Sequence, residues 1–83
     1  MFEVPRLKQL IEEGIGDCTA HVESDDGEHF SAKVVSARFE GLNRVKQHQL
    51  VYGAIGAYMG REIHALALAT FTPGAWTSQT GKE

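Results

Sequence analysis

The sequence predicts an α+β domain, a two-layer α/β sandwich whose elements follow the order α-β-β-α-β. Two short segments, 18–24 and 29–36, alternate apolar and polar residues in the manner of half-buried strands. Segments with helical spacing lie before and after this strand pair, and a third apolar run follows. A chain of 83 residues builds a single modest core. We therefore expect one domain in which helices cover a small sheet.

The first helix is predicted from PRLKQLIEEGIG, because Pro5 suits the first turn of a helix and a glycine at 14 or 16 ends it. Its apolar stripe consists of Leu7, Leu10 and Ile11. The next segment, CTAHVES, alternates as one strand, and HFSAKVVS alternates as a second. The residues SDDGE between them favour a tight turn, so the two strands form a hairpin.

The second helix is predicted to follow Asn43, a good N-cap residue, and to end near Gly60. Gly53 and Gly56 inside this segment indicate either close packing or a break. The apolar side of the helix consists of Leu50, Val51, Ala54, Ile55 and Tyr58.

The third strand, EIHALALATFT, is apolar on both faces, which favours an interior strand, and Pro73 ends it. Residues 1–76 are expected to form the domain, with Trp76 as a last anchor, and 77–83 a polar, disordered tail. A long helix joins the second and third strands, so if these strands are neighbours they run parallel and the three-stranded sheet is mixed.

Composition limits the function classes. The apolar fraction is 42% and the charged fraction 23%, as in ordinary globular domains. The net charge of −3 argues against a chain built to hold polyphosphate. No apolar run approaches the ~18–20 residues that span a bilayer, and the N-terminus does not resemble a signal peptide. With Cys18 as the single cysteine, an internal disulfide is excluded, and we expect a cytoplasmic protein that does not bind membranes.

Two histidines are the candidate metal ligands. If the second and third strands are parallel neighbours, His29 and His64 begin at the same edge of the sheet, whereas Cys18 begins ~20 Å away at the far edge. Period-two counting points the two rings to different sides unless a strand starts irregularly. Two donors are half of a usual metal site, so either the pair binds no metal or the missing donors come from a partner or a small molecule. His21 faces away from Cys18, and no nucleophile–base pair of an enzyme can be assembled.

Three further features, an acidic turn, a pair of glycines and a basic cluster, are weaker indications of function. The adjacent acids of the turn, at 25, 26 and 28, are expected to be solvated rather than to bind calcium. Glycines at 53 and 56 have the spacing of the KH-domain loop but fall within a helical pattern. A basic cluster at the start of the long helix, with Lys33 nearby, indicates either a phosphate contact or a solvated helix face. Its residues are Arg38, Arg44, Lys46 and His48.

Residues from about 7 to 76 resemble the BolA family, and the short N-terminus is similar to its compact acid-stress (IbaG-type) branch. The resemblance is carried by HFSAKVVSARFEGLNRVKQHQLVYGAIG and REIHALALATFTPGAW, including His29-Phe30, the Phe39-Glu40-Gly41 turn and Ile63-His64-Ala65. It implies a class II KH-like fold, in agreement with the element order.

The resemblance also implies a partnership with monothiol glutaredoxins, in which the heterodimer bridges a 2Fe–2S cluster. The glutaredoxin and glutathione each give a thiolate, and the histidine that starts the last strand, here His64, is a ligand. The family's second ligand lies in the hairpin loop or opens the second strand; SDDGE has no cysteine or histidine, so only His29 matches. No cofactor is expected in the isolated protein.

The alternative function is a KH-like, nucleic-acid-binding transcriptional regulator of stress response and morphology. It would use the surface around Arg38 to His48, and because the chain is acidic we expect weak, salt-dependent DNA binding. A homodimer of the apo protein stays open as a further partnership.

Overall fold

The computed structural model describes residues 2–80 and shows the predicted order of helices and strands, with one additional helix at the end. Short 3-10 turns occupy Ala37–Phe39 and Gly56–Tyr58. The main elements are α1 (Val4–Ile15), β1 (Cys18–Ser24), β2 (His29–Ser36), α2 (Arg44–Ile55), β3 (Ala65–Phe71) and α3 (Pro73–Thr80).

The three strands form one mixed sheet in the order β1-β2-β3. β1 and β2 pair antiparallel as the predicted hairpin, and β2 and β3 pair parallel with His29 opposite Ala65. β3 therefore lies at an edge, and the prediction of an interior strand is wrong. Its second apolar face consists largely of alanines, of which Ala65 and Ala67 are exposed. Such small side chains tolerate exposure and do not require a covering layer.

The core lies between one face of the sheet and the helices α1 and α2. α1 buries the predicted positions Leu7 and Ile11, together with Ile15, whereas Leu10 is only half-buried. A Cβ atom added at Gly14 would lie 2.5 Å from the Cβ of Ala54. The glycine thus permits a close approach of the two helices. The central strand contributes Phe30, Ala32 and Val34 to this core.

The helix α2 begins as predicted, because the side chain of Asn43 accepts a hydrogen bond from the Lys46 N–H at 2.9 Å. It ends at Ile55, not near Gly60, since Gly56 adopts a φ of +68° and stops the helix. Gly56 is thus the break that the sequence left open. Placing Leu50 on the apolar side was also wrong: it is 40% exposed, whereas Val51 is fully buried.

The segment predicted as a tail contains α3, which covers residues 77–80 of the predicted 77–83; residues 81–83 lie outside the described range. The hydroxyl of Thr72 accepts a hydrogen bond from the Ala75 N–H, and Pro73 is the first helical residue. Trp76 contacts Phe71 and stacks on His21, with ring centroids 5.1 and 5.0 Å away. No helix among residues 2–80 has the length and apolar character needed to cross a membrane.

Candidate metal-ligand pair at one end of the sheet

The loop between β1 and β2 is held by its own polar side chains. Oδ1 of Asp26 accepts hydrogen bonds from the N–H groups of Glu28 and His29, both at 2.9 Å. The hydroxyl of Ser24 accepts from the Gly27 N–H at 2.9 Å and donates to the carbonyl of His29 at 2.8 Å. Gly27 has a φ of +77°, as the predicted tight turn requires. The loop therefore fixes the backbone at the start of β2.

His29 is exposed at this point and is oriented by Asp26. Its Nδ1 lies 2.8 Å from Oδ2 of Asp26, and because a carboxylate only accepts, the ring nitrogen donates. This hydrogen bond, with the negative charge of Asp26, raises the pKa of His29. Hydrogen bonds from the backbone of His29 and Glu28 hold the pKa of Asp26 well below its usual range. Nε2 is the ring nitrogen left to bind a metal.

His64 lies one residue before β3, where the strand starts irregularly. Its N–H and that of Ala65 both donate to the carbonyl of Glu28, at 2.9 and 3.3 Å. The ring is more than half exposed, and its Nδ1 lies 3.7 Å from Oε1 of Glu28, an ion-pair distance rather than a hydrogen bond. Nδ1 of each histidine thus faces a carboxylate of the same loop.

The structure brings His29 and His64 together at the end of the sheet where β2 and β3 begin, as the sequence predicted. Their ring centroids lie 6.4 Å apart with the planes at 60°. The irregular start of β3 removes the conflict that period-two counting had raised. A metal ion lies about 2 Å from each nitrogen that binds it. The two rings must therefore move slightly closer to share one ion, a rotation that exposed side chains permit.

The pair is not a complete metal site. Within the described range 2–80, no three or more side chains of histidine, cysteine, aspartate or glutamate are grouped so that they could hold a metal ion. A shallow cavity of about 320 Å³ adjoins His64 and is lined also by Phe2, Asp26, Glu28 and Glu62. A metal bound by the two imidazoles would need further ligands from another molecule.

Cys18 lies at the opposite end of the hairpin, as predicted, where it pairs with Ser36 across the strands. The thiol is partly buried, and this desolvation raises its pKa to about 11. A thiol with so high a pKa is a poor nucleophile at neutral pH.

The structure does not gather the predicted basic residues into one surface. Arg44 and His48 line a groove beside β3. Lys46 is two positions from each of them along α2 and points to a different side of the helix. Arg38 lies in a 3-10 turn near Gly16, with its Cδ 3.9 Å from where a Cβ of that glycine would be.

Two further candidate features of the sequence have other roles in the structure. Lys33 lies on the face of the sheet opposite α2, beside His21 and Trp76. Gly53 lies inside α2, so the paired glycines do not form a loop.

Sequence reasoning missed the contribution of the carboxylates. Asp26 and Glu28 were interpreted only as solvated turn residues, whereas they face the two imidazoles. The spacing of Asp26 and His29 across a tight turn could have indicated the first contact, because a turn brings residues i and i+3 together. The contact of Glu28 with His64 depends on tertiary structure and left no local signal.

Comparisons of the chain with protein families and with curated proteins identify the same family. The family model described as BolA-like protein matches residues 13–75. The acid stress protein IbaG of Escherichia coli K12 is 41% identical over 54 residues, 64% of this chain and 64% of that protein. Human BolA-like protein 1 is 46% identical over 48 residues, 58% of this chain and 35% of that protein.

The DNA-binding transcriptional regulator BolA of Haemophilus influenzae is 41% identical over 51 residues, 61% of this chain and 50% of that protein. The matched part of the chain thus spans between about a third and two thirds of these relatives. Among solved structures, a bolA protein homologue from Coxiella burnetii superimposes with a TM-score of 0.82 at 40% identity, covering 92% of this chain and 97% of that one.

Proposed function

Because the chain belongs to the BolA-like protein family, we propose that it is an adaptor that pairs with a monothiol glutaredoxin. In this proposal it contributes His64 and His29 as ligands to a 2Fe–2S cluster in iron–sulfur trafficking or iron and stress regulation. Relatives of this family bear the names of regulators and stress proteins rather than of enzymes.

One observation carries the proposal: two exposed imidazoles lie side by side, each with Nδ1 toward a carboxylate. Histidines that bind metals usually donate their other ring N–H to a carboxylate or carbonyl, which fixes the tautomer and the ring orientation. Asp26 does this for His29, and Glu28 lies near enough to His64 to do so after a small movement. Both Nε2 atoms are then available on the same side of the molecule.

The donor set fits a cluster that is shared rather than resident. Iron in 2Fe–2S centres accepts imidazole as well as thiolate ligands. The chain offers two imidazoles at this end of the sheet, and Cys18 lies at the other. The remaining ligands would be the glutaredoxin cysteine and the glutathione thiolate, so the isolated protein would hold no cluster. A partner that carries a free thiolate belongs in a reducing compartment, and we place the protein in the cytoplasm.

Co-expression with a monothiol glutaredoxin tests the proposal. The co-purified heterodimer, with glutathione, should show the visible absorption and circular dichroism of a 2Fe–2S centre. Its spectrum should differ from that of the glutaredoxin purified alone, because imidazole replaces a thiolate ligand. Identical spectra for the glutaredoxin with and without this chain would refute the shared ligation.

DNA binding is a second candidate, favoured by the name of the Haemophilus influenzae relative. The structure supports it less well, because the groove beside β3 holds only Arg44 and His48 of the four predicted basic residues. Few phosphate contacts on an acidic chain give weak binding that salt abolishes. Fluorescence anisotropy with duplex DNA should show only weak binding at low salt. Sequence-selective, submicromolar binding at physiological salt would favour this candidate instead.

A further inference from the structure

The two edges of the sheet differ in how their backbone groups are satisfied. At the β1 edge, the N–H of Ala20 donates to Oε2 of Glu12 at 2.9 Å, and its carbonyl accepts from Nζ of Lys8 at 2.9 Å. Both side chains come from α1 and also form an ion pair with each other. α1 therefore occupies the outward-facing backbone groups of Ala20 and obstructs the pairing of another strand at the middle of this edge.

The β3 edge has no such cover. The N–H of Ala65 points toward β2 and donates to the carbonyl of Glu28. Because backbone groups alternate in direction along a strand, the N–H and C=O groups of Leu66, Leu68 and Thr70 point away from β2, toward the open edge. Within the described residues, no side chain forms a hydrogen bond with the backbone of β3. The strand ALALATF also lacks the charges, proline or glycine that usually protect an exposed edge.

A basic groove runs beside this open edge. It has a volume of about 350 Å³ and lies between α2 and the residues 68–71 of β3. Arg44 and His48 line it, and no carboxylate does, although the chain as a whole carries a net charge of −3. The hydroxyl of Thr70 donates to Oε1 of Gln47 at 2.6 Å, which ties the strand to the helix. The two walls of the groove are therefore held at a fixed distance.

We propose that the β3 edge and this groove bind an extended, acidic peptide segment of a partner protein. The peptide backbone pairs with Leu66, Leu68 and Thr70 as a fourth strand, and one of its carboxylates pairs with the guanidinium of Arg44. Backbone pairing supplies binding energy that depends little on sequence, and the arginine selects acidic segments. The lining of the groove includes neither His29 nor His64, so the pairing of a carboxylate with Arg44 does not depend on cluster ligation.

The other occupants of such an edge fit less well. A second copy of this chain would bring its own β3, which carries no carboxylate between residues 65 and 71 to pair with Arg44. A nucleic acid would find one arginine and one histidine for its phosphates, and it has no peptide backbone to complete the row of N–H and C=O groups.

Selection from a phage-displayed library of random linear peptides, with the full chain as bait, tests the proposal. Enriched peptides should combine β-branched residues with an acidic residue. When titrated into labelled protein, a synthetic copy should shift the backbone amide signals of Leu66, Leu68 and Thr70. R44E should raise the dissociation constant at least about tenfold, the effect of a lost charge-assisted hydrogen bond. K46E makes the same change of charge on another side of α2 and should alter it less than about twofold.

A second variant tests the backbone pairing directly. The N–H of Leu68 points outward, so L68P removes no bond to β2 and should abolish peptide binding while the amide signals of α1 stay in place. Should L68P not fold, the R44E and K46E pair decides alone. The proposal is overturned if no acidic peptide is enriched or if R44E and K46E weaken binding equally. Stronger shifts of the same amides by a single-stranded oligonucleotide, or by self-association on concentration, would also overturn it.

Discussion

The two ends of the sheet differ in how far their polar and metal-binding side chains are exposed to solvent. Where β2 and β3 begin, His29 and His64 are exposed, and their contacts come from the adjoining loop. At the other end, Cys18 is partly buried and Ser36 is 1% exposed, and their surroundings come from the core. The difference shows that only the first of these ends offers exposed imidazoles as candidate ligands.

The largest effect on stability is expected at the buried end. The hydroxyl of Ser36 donates to the carbonyl of Gly16 at 3.2 Å and accepts from the N–H of Arg38 at 3.1 Å. Ser36→Ala leaves both groups without this partner and should lower the free energy of unfolding by ~1–3 kcal/mol in urea titration. The exposed Ser31 on the same strand is the matched control, and Ser31→Ala should change stability by less than ~0.5 kcal/mol. Equal losses would show that the two ends do not differ in this way.

A smaller loss of stability is expected for Cys18→Ser, about 1 kcal/mol, because a hydroxyl replaces a partly buried thiol. The visible spectrum of the glutaredoxin heterodimer should be unchanged, since Cys18 lies far from His64. In the unmodified protein, iodoacetamide should react slowly at neutral pH, because burial raises the pKa of the thiol to about 11. Loss of the cluster spectrum in a folded Cys18→Ser protein would place the ligands at the wrong end.

The smallest effect is a change of titration at the exposed end. Asp26→Asn removes the negative charge and weakens the hydrogen bond that together raise the pKa of His29, so this pKa should fall toward the ordinary 6.5. NMR titration of the imidazole signals measures it, with His21 as the internal reference. An unchanged pKa of His29 would mean that Asp26 does not orient the ring in solution.

The same pair gives a signed pH dependence. The raised pKa of His29 gives stability that is complete below 6.5 and is lost as pH rises through its folded value. The lowered pKa of Asp26 gives stability that is complete above 3.8 and is lost as pH falls through its folded value. The pair should therefore contribute most to the free energy of unfolding between pH 3.8 and pH 6.5. Asp26→Asn should flatten the dependence of this free energy on pH.

Much of the fold followed from local signals in the sequence. Alternation predicted β1 and β2 at their observed bounds, and Asn43 marked the start of α2. The end of α2 was misplaced, because Gly56 terminates the helix although the apolar pattern continues beyond it. α3 was missed because its eight residues carry no apolar stripe at helical spacing, and because its packing rests on Trp76, which contacts the neighbouring Phe71 and the distant His21.

The candidate site was predictable only in part. The parallel pairing of β2 and β3 sufficed to bring His29 and His64 to the same end of the sheet. The approach of their rings depends on the carbonyl of Glu28, which accepts two N–H groups at the start of β3. Such an irregular start arises from tertiary packing and has no periodic signature in the sequence. Proximity in sequence was likewise a poor guide to the positions of the basic residues, since Lys46 is two residues from both Arg44 and His48 and points to another side of α2.

The role of the two histidines is tested most directly by visible circular dichroism of the heterodimer formed with a monothiol glutaredoxin and glutathione. His64→Ala should abolish or visibly alter the charge-transfer bands, and His29→Ala should change them less, because water or a nearby side chain can replace a secondary ligand. His21→Ala is the control, since His21 stacks on Trp76 away from this end. The fold should stay intact in all three variants. The doubly substituted protein, lacking both imidazoles, should lose the shared-cluster spectrum. A heterodimer of that protein with an unchanged spectrum would contradict ligation by this chain.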